Sequence, residues 1–293
     1  MSCGFLIFAY DNDAIDYGTL ALCNALLIKK HCTVNNVAVV TSSATFQSLI
    51  LQHGEPLIRT AFDTVIINEI DTDGSNYRTF SDTRYKNFTV KYHNSNRTSA
   101  YELSPFDETL LLDADYLILD NSTDLIWGTI EPILCNNTTV NLDHIKNYGT
   151  SNGKLNQMGI PLYWATAVYF KKTIDAQLMF AQMQFIKENY YYYTKLYGFN
   201  PNVFFRNDYA ISIALHIMSG FIEPHTVKPL PVDYILVSED TDEFHMFYNG
   251  TAIITTEHGQ GNIIAHSVQS NVHMMNKLAV IRQKDSIIKY ATT

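Results

Sequence analysis

The chain has 293 residues, 46% of them hydrophobic and 17% charged, with a formal charge of −9. That length and apolar content suffice for a large buried core, and one large domain is expected rather than two. The acidic balance excludes a global pull towards nucleic-acid phosphates or an anionic membrane, so any such contact has to be local.

The opening GFLIFAY reads as a first strand. It is too short for a signal-peptide core, and Asp11 and Asp13 follow it at once. A helix is predicted from Tyr17 to Lys30, with Leu20, Cys23, Asn24 and Leu27 on one face and lysines in the last turn. NNVAVVTS reads as a second strand, SATFQSLILQHG as a second helix ending near Gly54, and DTVIINEI as a third strand. Strands alternating with helices predict a parallel sheet wound with helices.

Residues 71–98 are polar and turn-rich, which predicts a long surface loop or irregular excursion. Within residues 78–97, Arg78, Arg84, Lys86, Lys91 and Arg97 face only Asp82 as an acid, the composition of a solvated stretch that can also meet an anion. Then comes SPFDETLLLDADYLILDN, residues 104–121, an apolar run of a doubly covered strand interrupted by Asp113 and Asp115. Two carboxylates two residues apart in an extended strand point the same way. They repel each other unless a proton, a basic group or a divalent cation intervenes. Either Asp113 caps a turn and Asp115 meets an arginine, or the pair serves a ligand at the carboxyl end of the sheet.

FDETLLLDADYLILDN resembles the metal-binding strand of nucleotide-sugar glycosyltransferases with the GT-A fold, of the family 8 type. MGIPLYWATAVYFKKT (158–173) is similar to the family segment beneath the sugar site, and FRNDYAISIALHIM (205–218) to the helix start that brings a polar pair to the donor sugar. NVHMMNK (271–277) resembles the C-terminal His-x-x-x-Lys element that closes over the pyrophosphate. The resemblance implies an α/β fold, a mixed and mainly parallel sheet flanked by helices, over residues 1–293. Residues 1–125 would form the nucleotide-binding half, 126–260 the sugar and acceptor half, and 261–293 a closing segment.

By the same resemblance, Asp115, Asp113 and His273 hold Mn²⁺, or Mg²⁺, with Asp113 touching either the metal or the ribose. Lys277 meets the diphosphate, Asn207 and Asp208 hold the sugar near the reaction centre, and Trp164 and Thr166 fall in the sugar-site segment. Asp11 and Tyr17 follow the first strand, where the family recognises base and ribose; Asp11 reads equally as a turn residue, and Asp208 as a helix N-cap or first-turn acid beside the dipole. If HMMNK forms a helical turn, His273 and Lys277 share its face. The implied activity is transfer of a sugar from a nucleoside diphosphate sugar, UDP-linked, with retention, to a glycan, a protein or a modified DNA base. A non-catalytic nucleotide- or sugar-binding module and a nucleotidyltransferase are the alternatives. YWAT stands where the family carries Asn-Ser-Gly, and Met275-Asn276-Lys277-Leu278 departs from its closing element, which leaves the sugar open. In texture the chain is most similar to phage-encoded members, which implies the host cytoplasm.

Cys3, Cys23, Cys32 and Cys135 show neither CxxC spacing nor scaffold density, so reduced thiols in a cytoplasmic compartment are expected. No membrane anchor is expected, and triplets such as Asn87-Phe88-Thr89 and Asn249-Gly250-Thr251 are not expected to be glycosylated. EHGQGN (257–262) reads as a turn, and His245, His258 and His266 as surface or core residues, since their spacing fits no common zinc pattern. NYYYYTKLYGF puts tyrosines all round a helix, for packing or for sugar stacking.

Overall fold

The computed structural model describes residues 1–69, 77–83, 85–93, 95–142, 154–155, 160–199, 204–222, 227–231, 235–258 and 261–293. Its N-terminal part alternates as the apolar runs predict through β1 (Cys3–Ala9), α1 (Tyr17–His31), β2 (Val37–Thr41) and α2 (Ser43–His53), and then adds a short helix that was not expected, α3 (Glu55–Ala61), before β3 (Thr64–Ile67). The helix starts are chemically marked. The Asp16 side chain accepts from Thr19 N ahead of α1, and Ser42 from Thr45 N ahead of α2. α2 stops at Gly54, whose φ of +81° favours glycine. α1 is buried from Gly18 to Ile28, and a Cβ on Gly18 would stand 2.9 Å from Leu49, so the glycine lets α1 and α2 approach.

Residues 77–91 are not the irregular excursion that their polarity suggests. β4 (Tyr77–Thr83) and β5 (Lys86–Lys91) pair antiparallel as a hairpin, with Phe80 opposite Phe88 and their rings 6.0 Å apart. Alternation places these aromatics on one face, and the polar residues between them hide that signal. Arg84 and residues 70–76 lie outside the described residues. A 3-10 turn (Ser95–Ser99) and α4 (Ala100–Leu103) lead into β6 (Glu108–Leu112).

The aspartate-bearing run is two strands rather than one. β6 ends at Leu112, Tyr116 N donates to Asp113 O across a turn (3.1 Å), and β7 (Tyr116–Leu117) joins another sheet. β8 (Ile133–Cys135), β9 (Thr139–Asn141) and β10 (Ala167–Lys171) follow. The central sheet runs β3-β2-β1-β6-β10-β8; β10 alone runs against the other five strands, so the sheet is mixed and mainly parallel.

Next come α5 (Ile174–Glu188), α6 (Tyr190–Leu196), α7 (Asn207–Met218) and β11 (Ile235–Ser238). β12 (Glu243–Tyr248), β13 (Thr251–His258) and β14 (Asn262–Val268) form an antiparallel sheet. His245 and His266 bond to Thr255 and Thr256 there; Gly259, Gln260 and the His258 side chain lie outside the described residues. β15 (Val272–Met274), α8 (Lys277–Arg282) and α9 (Lys284–Thr292) close the chain as given. The second sheet runs β7-β15-β11-β9. HMMNK is therefore not a helical turn: strand pairing to β7 and β11 claims His273, and Asn276 caps the helix that Lys277 begins. No described helix is long and apolar enough to cross a membrane, and all four cysteines are free thiols.

Candidate active site

A cleft opens at the carboxyl ends of β1 and β6, where the two sheets meet. Its floor is the Asp113–Asp115 turn. Asp113 N donates to Thr166 O (2.9 Å) and Met274 N to Asp115 O (2.9 Å), so the turn is tied to the segment before β10 on one side and to β15 on the other. Tyr116 pairs with His273 in register, which sets the imidazole next to the two carboxylates. His273 Nε2 lies 3.4 Å from Asp115 Oδ1 and 3.7 Å from Asp113 Oδ2. Its Nδ1 is 3.3 Å from Thr166 Oγ1, a contact that orients the ring and leaves Nε2 towards the acids.

Two cations balance this pair. Lys277, the first residue of α8, brings Nζ to 2.6 Å from Asp115 Oδ2, and both side chains are almost fully buried. Arg97, on the 3-10 turn, ion-pairs with Asp113 and donates to Ala165 O (2.7 Å). The carboxyls accordingly differ. Burial pushes Asp113 up, with Arg97 opposing and Asp115 adding to the rise. Burial works against the Asp115 charge too, yet Lys277 and His273 together hold its carboxyl well below the usual range.

On the facing wall, Asp208 is an acid in the first turn of α7 and does not cap that helix. One of its oxygens accepts from Ala165 N (2.8 Å) and the other from Arg206 (2.8 Å). Burial opposes its charge, and Arg206 with the Ala165 amide outweighs that, so its carboxyl sits below the ordinary range. Ser212, one turn along α7, accepts from Tyr163 N (2.8 Å), so residues 163–165 hang from α7 by two backbone amides. Trp164, Thr166, Asn207 and Tyr17 line the same cleft.

Nine of the ten residues singled out from sequence thus share one cleft: Tyr17, Asp113, Asp115, Trp164, Thr166, Asn207, Asp208, His273 and Lys277. Asp11 is not among its lining residues. Its carboxylate accepts from Gly18 N (2.8 Å) and its backbone N donates to Thr45, which fits the turn reading. Arg78, Tyr92, Arg97 and Arg206 line the cleft without having been singled out as site residues. The Arg78 guanidinium lies over the rings of Phe80 (4.9 Å) and Tyr92 (5.3 Å), a contact that only the hairpin can create. Arg97 sits in a stretch whose composition suggests solvation, whereas Arg206 directly precedes Asn207-Asp208 and was findable by adjacency.

Asp113, Asp115 and His273 each offer one ligand atom, and these atoms lie within 4.8 Å of one another. Two carboxylate oxygens and one imidazole nitrogen facing a cleft fit a divalent cation that accepts mixed oxygen and nitrogen ligation.

No protein-family model matches the sequence, and no curated protein matches it either. Among solved structures the chain is similar to the galactosyltransferase LgtC in complex with donor and acceptor sugar analogues, at 16% identity over 72% of this chain and 70% of that one, TM-score 0.44. It is similar to mouse xyloside xylosyltransferase 1 at 12% identity, over 78% and 85% of the two chains, TM-score 0.43. A third likeness is to the glycosyltransferase GlyE of Streptococcus pneumoniae TIGR4, at 10% identity and TM-score 0.41; it covers 78% of this chain and only 44% of GlyE.

Proposed function

We propose that this chain is a divalent-metal-dependent glycosyltransferase that takes a sugar from a nucleoside diphosphate, UDP by the sequence resemblance, and passes it to an acceptor. The observation that carries the reading is the meeting of Asp113, Asp115 and His273 with Lys277 in one cleft at the carboxyl end of a mainly parallel sheet. Asp113, Asp115 and His273 would hold the metal, manganese being favoured by the nitrogen ligand. When bound, the cation supplies positive charge to a diphosphate.

The protein's own groups divide the remaining work. As the bond to the sugar breaks, negative charge grows on the departing phosphate oxygen, and Lys277 and Arg78 are the cations that face the cleft from the hairpin side. Asn207 and Asp208 stand on the opposite wall, where they would hold sugar hydroxyls. Arg97 fixes Asp113 and the Ala165 carbonyl together, which keeps the floor and that wall in register. Retention of anomeric configuration follows from the resemblance. The acceptor is a glycan, a protein or a modified DNA base.

The test is release of UDP from a panel of UDP-sugars with Mn²⁺, alongside stabilisation by UDP with and without the metal. The reading expects UDP release that EDTA stops, and a larger UDP-induced rise in Tm with Mn²⁺. Identical UDP affinity in metal and in EDTA would overturn it, and pyrophosphate as the product would move the chain to nucleotidyl transfer.

A further inference from the structure

α5 carries apolar side chains on two opposite faces. Ala176, Met179, Phe180, Met183 and Ile186 are buried against the molecule. Ile174, Leu178, Ala181 and Phe185 face outwards, and at roughly 100° per residue they form one stripe opposite the buried face. Ile174 is 65% exposed, Leu178 52% and Phe185 51%, and no charged side chain interrupts the line. A helix that is apolar on both faces is ordinarily covered on both.

We propose that this stripe is the contact of a homodimer in which a second copy of α5 lies antiparallel across the first. The spacing of the four residues is four, three, four, which reads the same from either end, as a self-complementary two-fold contact requires. The antiparallel match sets Ile174 against the partner's Phe185 and Leu178 against the partner's Ala181, large beside small in the centre. Charge fits as well. Glu188 is exposed at the C-terminal end of α5, where its own helix dipole disfavours it. In the pair it comes beside the N-terminal end of the other helix.

The exposed apolar area approaches that of a stable contact. Phe185 stands near Tyr193 (6.4 Å), which touches Tyr192 (5.3 Å), so the stripe continues onto α6 with the exposed Tyr191, Tyr192 and Leu196. These six large side chains expose on the order of 600 Å² per protomer, close to the ~800 Å² per partner of a stable interface once a polar rim is added. The net charge of −9 weighs against an anionic bilayer as the occupant. It also means that two copies repel at long range, so a contact made by apolar burial tightens as salt is added.

Sedimentation velocity of the whole chain over a dilution series tests this. The expected result is a reversible dimer that dissociates on dilution and tightens at higher ionic strength. Phe185→Glu should be monomeric, and Ala181→Arg, at an exposed small residue, should be monomeric with an unchanged circular-dichroism melt. Leu178→Cys chains mixed with Ala181→Cys chains should form the mixed disulfide faster than either forms its own. A single-chain mass for the wild type at every concentration overturns the proposal. So does a dimer that survives in both charged variants, or a monomer that uses this face to bind phosphatidylcholine vesicles.

Discussion

Lys277 Nζ lies 2.6 Å from Asp115 Oδ2, although more than half of the chain separates the two residues and both side chains are buried. Removing either partner strands a buried charge, which typically costs 3–5 kcal/mol. The sequence suggests instead that loss of Asp115 relieves repulsion; the ammonium at 2.6 Å reverses that expectation. Asp115→Ala and Lys277→Ala should each lower stability in EDTA by about 3 kcal/mol, and the double variant by clearly less than the two together. Urea denaturation of the four proteins closes the cycle, and additive losses would show that the contact carries no coupling.

Asn276 is fully buried and joins three segments. Its Nδ2 donates to Asp82 O (2.8 Å) in the hairpin and to Asp242 O (2.9 Å) before β12, while Oδ1 accepts from Ala279 N (3.0 Å) at the start of α8. Arg282, the last residue of α8, meets Asp82 Oδ1 at 2.5 Å. Asn276→Ala loses a helix cap and leaves two carbonyls unsatisfied, an expected cost of about 2–3 kcal/mol. Arg282→Ala breaks a half-exposed ion pair and should cost under about 1 kcal/mol. Hydrogen exchange should speed up across residues 77–91 far more in the asparagine variant, and equal exchange in both would deny Asn276 its part in holding the hairpin.

The alternation of strands and helices from β1 to β3 was legible because apolar runs and their periodicity are local signals. The aspartate pair was legible because carboxylates are costly in an apolar run. The break of that run at Leu112 was not, since it depends on β7 pairing with β15, which lies far along the chain. Arg97 reads from sequence only as one cation of a basic stretch for the same reason: the local composition speaks of solvent, while its burial is created by Asp113 and Ala165 O. The hairpin was hidden because Phe80, Phe88 and Tyr92 alternate with polar residues that dominate the local average.

Asp11 gives the fold a predictable pH response. Burial raises its carboxyl from the ordinary value to about 6, against the pull of the Gly18 amide and with a contribution from Asp16. Between about pH 4, where an unfolded aspartate titrates, and about 6, the folded chain binds this proton more tightly than the unfolded chain. Stability from this residue is therefore full below about pH 4 and declines as pH rises to about 6, by roughly 2 kcal/mol. Asp11→Asn keeps an acceptor for Gly18 N and carries no charge. It should match the wild type near pH 4 and exceed it at pH 7 in guanidinium denaturation, and parallel curves for the two proteins across that range would refute the assignment.

Thr166 separates orientation of the imidazole from ligation. Its Oγ1 is 3.3 Å from His273 Nδ1, and it is buried behind the ring, with its carbonyl oxygen already accepting from Asp113 N. Thr166→Val preserves shape and the backbone contact but leaves Nδ1 without the hydroxyl, so ring orientation and tautomer are no longer biased towards presenting Nε2 to the acids. Loss of such an outer contact typically weakens metal binding 10–100-fold. Titration of the apo protein with Mn²⁺, followed by Tm, should show that shift with the metal-free Tm altered little. His273→Ala should weaken binding at least as far, because it removes a ligand outright. Wild-type Mn²⁺ affinity in Thr166→Val would mean that the ring is held by its strand alone.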